Sequence, residues 1–371
     1  MNTRKPTTLL PAIWLTWALS GAGTGVLQAQ ETQPSFSEKT AIIYKNIRQH
    51  YYDSSAALYT EIPRQYTGEK PYSYLWPLCA LIQAGNEMEV LQPGRSYMRP
   101  LMKSIDQYYS TRPPTPGYDS YVVGQGGGDR FFDDNQWIGL AYMDAYGRTK
   151  EGIYLQRSEE IYRFMMTGYD TVTGGGLYWK EGDKKSKNTC SNGPGVLLAL
   201  RLYQATRKAG YLDTALLLYH WTNRHLLSPR GIYYDAIRTS GGRIDSAAYT
   251  YNTGTMLQAN VVLYSITGNK KYLQEARRLA DASLRTFYRN GRFPGNYWFN
   301  AVLVRGYQEL YAIDTHNKIY LQAVIKDAEN SWARETDSQR LIGPGPVKKL
   351  LDQAGYLEIC ARMAALQRSG F

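Results

Sequence analysis

Apolar residues recur along most of the chain every three or four positions, which is the spacing of an amphipathic or buried helix. This spacing predicts twelve helices separated by turn-forming sequences such as Gln92-Pro93-Gly94 and Thr267-Gly268-Asn269. The predicted helices lie near residues 36–54, 74–90, 95–110, 133–147, 151–167, 190–209, 212–227, 247–267, 270–288, 296–314, 317–332 and 347–368.

Alternate predicted helices differ in the charge that they carry. The ninth, near 270–288, has one apolar stripe and a charged face, as a solvent-facing helix should. The eighth has no charged residue between Ser246 and Asn269, and residues 196–200 of the sixth are wholly apolar. Helices that are apolar all round are buried. The pattern therefore predicts an all-α fold, an (α/α)6 toroid in which six outer helices enclose six inner ones.

Polar and aromatic clusters lie where five of the inner helices begin. Short loops reverse the chain after each helix, so the N-termini of all inner helices should share one rim. Capping or core packing could explain any single cluster, but five on one rim predict a binding cleft. The clusters are Tyr72-Ser73-Tyr74-Leu75-Trp76, Asp133-Asp134-Asn135, Asn188-Thr189-Cys190-Ser191-Asn192-Gly193, Tyr249-Thr250-Tyr251-Asn252-Thr253-Gly254 and Asn296-Tyr297-Trp298.

Two short aromatic runs, Gly176-Leu177-Tyr178-Trp179 and Gly231-Ile232-Tyr233-Tyr234-Asp235, precede such helices. They predict small β-hairpin insertions that raise the rim into walls. The chain has 33 tyrosines and 8 tryptophans, and aromatic rings pack on the apolar faces of sugars as well as in cores. We expect the walls of the cleft to include Trp76, Tyr178, Trp179, Tyr251 and Trp298.

The amides of Asn135, Asn188, Asn192 and Asn252 both donate and accept hydrogen bonds, which suits a hydroxyl-rich ligand. Helix capping is the alternative for each of them. We predict that replacing Asn252 with Ala would reduce turnover more than folding stability.

Asp133 and Asp134 are adjacent at the start of the fourth predicted helix, behind the glycine run Gly126–Gly128. Capping and the helix dipole explain one Asp in a first turn but do not readily explain both, and for the pair taken alone capping or a salt bridge is the alternative. Cleavage of a glycosidic bond needs one ionised and one protonated carboxyl group. The dipole favours ionisation of both acids, so something must keep one protonated. The charge of Asp133 is the candidate for doing so at Asp134.

The first thirty residues, with Arg4 and Lys5 before an apolar stretch from Leu9 to Leu27, predict a cleaved secretory signal. Residues 31–371 should then form a single catalytic domain located in the periplasm or outside the cell. Loss of the two basic residues lowers the formal charge from +11 to +9. We expect no membrane span in the mature chain.

Composition weighs against several classes of protein. The basic residues are scattered and the densest run, Lys184–Lys187, is expected to be a solvated loop, so no nucleic-acid partner is predicted. The three cysteines lie in apolar helical patterns and should be buried thiols, although one disulfide is an open alternative. The four histidines lack metal-ligand spacing. We therefore expect no metal and no cofactor.

Several segments together resemble glycoside hydrolase family 76, the endo-α-1,6-mannanases, over nearly the whole predicted mature chain. Where members often have Asn-Gln and two Trp, this chain has Asn252-Thr253 and Trp137-Ile138. The segments are Tyr72-Ser73-Tyr74-Leu75-Trp76-Pro77-Leu78, Asp133-Asp134-Asn135-Gln136-Trp137-Ile138-Gly139-Leu140-Ala141, Gly174-Gly175-Gly176-Leu177-Tyr178-Trp179, Lys187-Asn188, Ser191-Asn192-Gly193, Thr250-Tyr251-Asn252-Thr253-Gly254, Leu263-Tyr264 and Thr267-Gly268.

The resemblance implies an (α/α)6 fold and an α-mannan polysaccharide or oligosaccharide as substrate. It also implies retention at the anomeric carbon, with Asp133 as nucleophile and Asp134 as general acid/base. A transglycosylase acting on the same linkage and a non-catalytic glycan-binding protein of the same fold are the alternatives. The run Gly124–Gly128 lacks the Lys-Ser or Lys-Thr of a phosphate-binding loop, so a nucleotide site is not expected.

Overall fold

The computed structural model describes residues 1–2, 33–63, 70–315 and 317–371. Residues Pro34–Phe371 form one compact unit, separate from Met1–Gln33. The predicted signal segment lies outside the described residues almost entirely. The helices of the larger unit are α1 (Phe36–His50), α2 (Leu75–Leu91), α3 (Met98–Ile105), α4 (Phe132–Thr149), α5 (Gly152–Met166), α6 (Thr189–Thr206), α7 (Ala209–Leu226), α8 (Thr250–Thr267), α9 (Lys270–Phe287), α10 (Tyr297–Ile313), α11 (Ile319–Glu335) and α12 (Leu350–Arg368).

The even-numbered helices pack side by side in a closed ring, in the order α2, α4, α6, α8, α10 and α12, with α12 returning to α2. The odd-numbered helices pack on the outside of this ring. Burial follows the charge pattern: residues 250–263 of α8 are all buried, whereas α9 buries only its stripe of Ala276, Leu279, Ala280 and neighbouring residues. The predicted toroid is confirmed.

Glycine permits two close approaches between inner helices. A Cβ atom on Gly254 of α8 would lie 2.6 Å from the Cα atom of Leu303 in α10. One on Gly355 of α12 would lie 2.4 Å from the backbone nitrogen of Trp298. Only a residue without a side chain fits at such distances. These contacts fix the position of the first turn of α10, which carries Trp298.

The strands are short and antiparallel. β1 (Tyr52–Asp53) pairs with β2 (Leu58–Tyr59), and β3 (Tyr109–Ser110) pairs with β4 (Gly117–Tyr118). The remaining four form one sheet in sequential order: β5 (Tyr178–Lys180), β6 (Asp183–Asn188), β7 (Tyr234–Arg238) and β8 (Ile244–Ala248). The two predicted insertions are thus parts of a single sheet, which leads directly into α6 and α8.

Three predicted helix ends were wrong because the residues beyond them form short strands or, directly after α3, the 3₁₀ turn Asp106–Tyr108. α1 ends at His50, before β1, and α3 ends at Ile105, before β3. α8 starts at Thr250 because residues 247–248 belong to β8. Small apolar residues such as Ala247 and Ala248 fit both a helical and an extended pattern, so spacing alone does not separate the two.

The basic run 184–187 was expected to be a solvated loop and is instead part of strand β6. Its members have different environments: Lys184 and Lys185 are exposed, whereas Lys187 is fully buried. The Nζ atom of Lys187 donates to the Asp170 carboxylate and to the carbonyl oxygen atoms of Val172 and Gly175, each at 2.7 Å. This lysine ties β6 to the loop before β5.

All three cysteines, Cys79, Cys190 and Cys360, are free and buried, as predicted. Among the described residues, no helix has the length and apolar character that crossing a membrane requires.

Candidate active site

A cavity of about 530 Å³ lies where the inner helices begin, between their first turns and the four-stranded sheet. The starts of α4, α6, α8 and α10 form its floor, and β6, β7 and β8 form one wall. Its lining residues are Trp76, Phe131, Asp133, Asp134, Trp137, Trp179, Ser186, Asn188, Cys190, Asp235, Ala236, Arg238, Asp245, Tyr249, Tyr251, Trp298 and Phe299. Residues from five separate segments of the sequence therefore meet here.

Both predicted catalytic acids lie in this cavity, in the first turn of α4. Trp179 donates its indole N–H to Asp133 Oδ2 at 3.3 Å, and Asp133 Oδ1 is buried without a hydrogen-bond partner. Burial raises the pKa of Asp133 to about 6, and the nearby Cys190 thiol and the Asp134 backbone N–H oppose the rise. Asp133 is thus mainly ionised at neutral pH.

Asp134 has no such donors. Burial raises the pKa of Asp134 well above its ordinary value, and the negative charge of Asp133 raises it further. No described residue donates a side-chain hydrogen bond to its carboxyl group. The sequence argument named the charge of Asp133 as the cause, but burial contributes more. The two adjacent acids therefore differ in protonation, Asp134 holding its proton.

Four of the five predicted wall aromatics line the cavity: Trp76, Trp179, Tyr251 and Trp298. Tyr251 stacks on Phe299 with ring centroids 4.0 Å apart. The edge of Trp298 packs against both Trp76 and Trp137, at 5.6 and 5.5 Å. The indole N–H of Trp298 is buried and has no partner.

Tyr178 does not line the cavity, contrary to the prediction. It is 4% exposed, and its hydroxyl donates to Asp170 Oδ2 at 2.7 Å. Successive residues of a strand point to opposite faces. In β5, Trp179 is turned to the cavity, and Tyr178 is consequently turned to the core.

Two of the predicted amides belong to the framework instead of the cavity. Asn135 accepts a hydrogen bond from the Tyr118 N–H at 2.7 Å and donates to the Tyr118 carbonyl at 2.9 Å. Asn192 makes the same pair of bonds with Leu177, at 2.8 and 3.0 Å. Each also donates to the carbonyl four residues earlier. These fully buried amides clamp the incoming backbone to the start of an inner helix and leave no group for a ligand.

Asn188 and Asn252 have a different role, because both donate to Asp235. Asn188 lines the cavity and donates to Asp235 Oδ2, while fully buried Asn252 donates to Oδ1, each at 3.3 Å. Burial raises the pKa of Asp235. Asn252 thus reaches the cavity only through Asp235, a third carboxylate that two amides hold in place.

Sequence reasoning missed several lining residues, and the signals for them differ in strength. Phe131 and Trp137 flank the acids, and Asp235 ends a run already predicted as wall, so all three could have been inferred. The sequence of β8 has no recognisable strand pattern, so Asp245 was not predicted as a lining residue. Cys190 and Tyr249 belong to predicted rim clusters but were not singled out as cleft residues, and the other missed residues are Ser186, Ala236, Arg238 and Phe299.

Comparisons with known proteins identify the family of the chain. The sequence model of glycosyl hydrolase family 76 matches residues 35–337. The structure resembles a family 76 mannosidase of Bacteroides thetaiotaomicron with a TM-score of 0.83 and 26% identity, over 91% of this chain and 100% of that one. It also resembles an inactive variant of a Salegentibacter α-1,6-mannanase in complex with α-1,6-mannotriose (TM-score 0.77, 23% identity, 89% of this chain and 100% of that one).

Among curated relatives, mannan endo-1,6-alpha-mannosidase DCW1 of Candida glabrata is 29% identical over 174 residues. The match covers 43% of this chain and 39% of that protein, so it spans well under half the length of the relative. The family model covers most of the chain, and the fold agrees with it. The chain belongs to glycosyl hydrolase family 76.

Proposed function

We propose that this protein is a retaining, endo-acting glycoside hydrolase that cleaves α-1,6-linked mannose backbones. The observation that carries the proposal is the unequal environment of the two adjacent acids on the cavity floor. Asp133 is held by the Trp179 N–H and carries a charge at neutral pH, whereas Asp134 has no donor and keeps its proton. This division matches the two roles that cleavage of a glycosidic bond requires.

In the first step an Asp133 oxygen attacks the anomeric carbon while Asp134 gives its proton to the departing glycosidic oxygen. The carbon–oxygen bond to the leaving sugar breaks as the bond to Asp133 forms. In the second step Asp134, now ionised, takes a proton from water, and that water displaces Asp133 from the anomeric carbon. Both carboxyl groups return to their starting states.

The shape of the cleft supports attack within a chain. A second hollow of about 400 Å³ adjoins the first, and Trp76 lines both. The second hollow also contains Glu61, Asn296, Lys349 and Asp352, around the start of α12. A polysaccharide could therefore continue past Trp76 on one side of the acids. The relatives named mannan endo-1,6-alpha-mannosidase support mannose as the sugar and 1,6 as the linkage.

The test uses purified protein, linear α-1,6-mannan and an activated aryl α-mannoside. Wild-type protein should release short oligosaccharides from the mannan early in the reaction, and this release is the readout for substrate and mode of attack. Exclusive release of mannose from chain ends would overturn endo cleavage. Failure to cleave α-1,6-mannan while another glycan is cleaved would overturn the substrate assignment.

The catalytic roles are tested with Asp133→Ala and Asp134→Ala on the aryl mannoside. A good leaving group needs little protonation, so Asp134→Ala should still form the covalent intermediate, which mass spectrometry detects. Asp133→Ala should form none. The opposite result would reverse the assignment. Sugar transfer to an acceptor in place of water would instead indicate a transglycosylase.

We also propose that the protein is exported. The proposal rests on the basic and then apolar pattern of residues 1–30. N-terminal sequencing of protein recovered outside the cytoplasm should begin near residue 31, and a chain that begins at Met1 would contradict it.

A further inference from the structure

The sheet wall of the cavity is built in cross-strand rows. Asn188, Ala236 and Asp245 are paired across β6, β7 and β8, and the pair Tyr234–Ala248 lies between this row and the start of α8. Ser186 and Arg238 are paired in the next row outward. Asn188, Ala236, Asp245, Ser186 and Arg238 all line the cavity. Two residues along a strand is about 7 Å, so Arg238 begins well above the floor that carries the catalytic acids.

Arg238 is a half-buried arginine that no carboxylate neutralises by direct contact. Among the described residues none makes an ion pair or a hydrogen bond with its guanidinium group. Two carboxylates are nevertheless close: burial raises the pKa of Asp235, the charge of Asp245 adds to the rise, and that of Arg238 opposes it. The Asp235 carboxylate already accepts hydrogen bonds from Asn188 and Asn252. Among the described residues, the Asp245 carboxylate accepts a hydrogen bond only from the Ala247 N–H, at 3.2 Å.

The wall thus offers a guanidinium donor on β7 and a carboxylate acceptor on the neighbouring strand β8, and the two are not engaged with each other. Such a pair suits a ligand that both accepts and donates, as neighbouring sugar hydroxyls do. An anionic ligand such as a phosphate is disfavoured, because the cavity that holds Arg238 also holds Asp235, Asp245 and the ionised Asp133. The chemistry points to a neutral sugar ring.

The position of Arg238 and Asp245 above the cavity floor indicates which sugar of the substrate they contact. A backbone sugar must lie on the floor to reach Asp133, whereas Arg238 and Asp245 lie on strands above the starts of the inner helices. Position 6 carries the chain in an α-1,6-linked backbone, so the free hydroxyl groups point sideways, and a sugar attached to one of them projects from the chain toward a wall. We propose that Arg238 and Asp245 form a subsite for a side-branch sugar borne on the mannose backbone.

This proposal rests on the proposed function and concerns the preference of the enzyme for branched or linear substrates. Purified wild-type protein and Arg238→Met would be assayed on linear α-1,6-manno-oligosaccharides and on oligosaccharides of the same backbone length that carry single-mannose branches. Loss of a charged hydrogen bond should reduce kcat/KM for the branched substrate about tenfold more than for the linear one. Asp245→Asn, an isosteric change, should act in the same direction.

Arg243→Met is the matched control. Arg243 is an exposed arginine whose carbonyl accepts the Arg238 N–H at 2.9 Å, and it does not line the cavity. This variant should leave the ratio of the two kcat/KM values unchanged. Melting temperatures of all variants would identify any that fail to fold.

Equal losses on both substrates would mean that Arg238 binds the backbone, and would overturn the proposal. A ratio that rises in favour of the branched substrate would mean that the wall excludes branches, which also overturns it. An unchanged ratio in both Arg238→Met and Asp245→Asn would do the same. If wild-type protein cleaved neither substrate, the proposed function itself would fail, and this outcome is distinct from the other three.

Discussion

Two acidic sites in the same ring of helices have opposite properties. At the rim, Asp134 is half-buried and has no cation beside it among the described residues, and desolvation and the charge of Asp133 raise its pKa far above normal. Further along the inner helices, Glu358 of α12 is fully buried between Arg305 and Arg362, which donate to it at 2.6–2.9 Å. Burial alone would raise the pKa of Glu358, but the two arginines outweigh burial and lower it.

The difference shows that this fold keeps the residues that stabilise it apart from the residues proposed to act on the substrate. Around Glu358 the donors satisfy the carboxylate, so removing that group leaves the buried Arg305 without its ion-pair partner, while Arg362 keeps Glu87. At the rim, Asp133 Oδ1 and Trp298 Nε1 are buried but have no partner. Unsatisfied buried groups lower the stability of a fold, and at a cavity they are the groups available to a ligand. The two sites should therefore respond to mutation in opposite ways.

The largest expected effect is at the rim. Asp133→Asn should reduce kcat on mannan about a thousandfold or more, because the nucleophile is lost. Folding stability in a urea titration should be unchanged or higher, because a buried and poorly paired charge is removed. A variant that loses activity only in proportion to its loss of folded protein would contradict this view of the site.

Glu358→Ala should show the reverse pattern. Breaking a buried ion pair by removing one partner costs about 3–5 kcal/mol, measurable as the free energy of unfolding in urea. The control is Glu275→Ala, which breaks the solvent-exposed pair between Glu275 and Arg278 and should cost about 1 kcal/mol or less. Equal costs for the two variants would show that the buried network does not stabilise the ring.

Replacing Asn192 and replacing Asn252 should likewise have different effects, one on stability and the other on turnover. Asn192→Ala would leave the Leu177 N–H and carbonyl without their partner, so it should lower stability by about 2 kcal/mol and affect turnover of the remaining folded protein little. Asn252→Ala frees one oxygen of Asp235 and should reduce turnover more than stability. If Asn252→Ala lowered the melting temperature with an unchanged rate, Asn252 would belong to the framework as well.

A smaller effect is expected when only the indole N–H of Trp298 is removed. Trp298→Phe keeps an aromatic ring against Trp76 and Trp137 but deletes the unpartnered donor. A hydrogen bond worth about 1.4 kcal/mol corresponds to a tenfold loss of kcat/KM on mannan. Trp332→Phe, far from the cavity lining, is the control. A normal kcat/KM in Trp298→Phe would mean that the ring acts only by packing.

The smallest effect concerns pH. Asp133 must be ionised to attack, and its pKa is about 6, so kcat/KM should rise with pH and be half-maximal near pH 6. It should fall again at higher pH as Asp134, whose pKa is well above normal, loses the proton that the leaving group needs. Glu275→Ala should leave the profile unchanged. A profile that is already flat at pH 5 would contradict the environment described for Asp133.

The sequence predicted the repeating architecture well because that information is local. Charge on alternate helices reports which helices face water, and short loops between them fix the ring and its single rim. The pair Asp133 and Asp134, and the aromatics Trp76, Trp179, Tyr251 and Trp298, could be placed at the rim from their position before inner helices alone. The family resemblance rests on the same segments and is confirmed.

The tertiary structure decided what each rim residue does. Asn135 and Asn188 look alike in sequence, yet one clamps the backbone of Tyr118 and the other holds Asp235. Tyr178 and Trp179 are neighbours, but the direction of β5 sends one to the core and the other to the cavity. The wall with Arg238 and Asp245 exists only because two distant hairpins pair into one sheet. Hydrogen bonds and strand pairing join residues that are far apart in the chain. Local sequence patterns do not show which distant residues will meet, so these contacts could not be predicted.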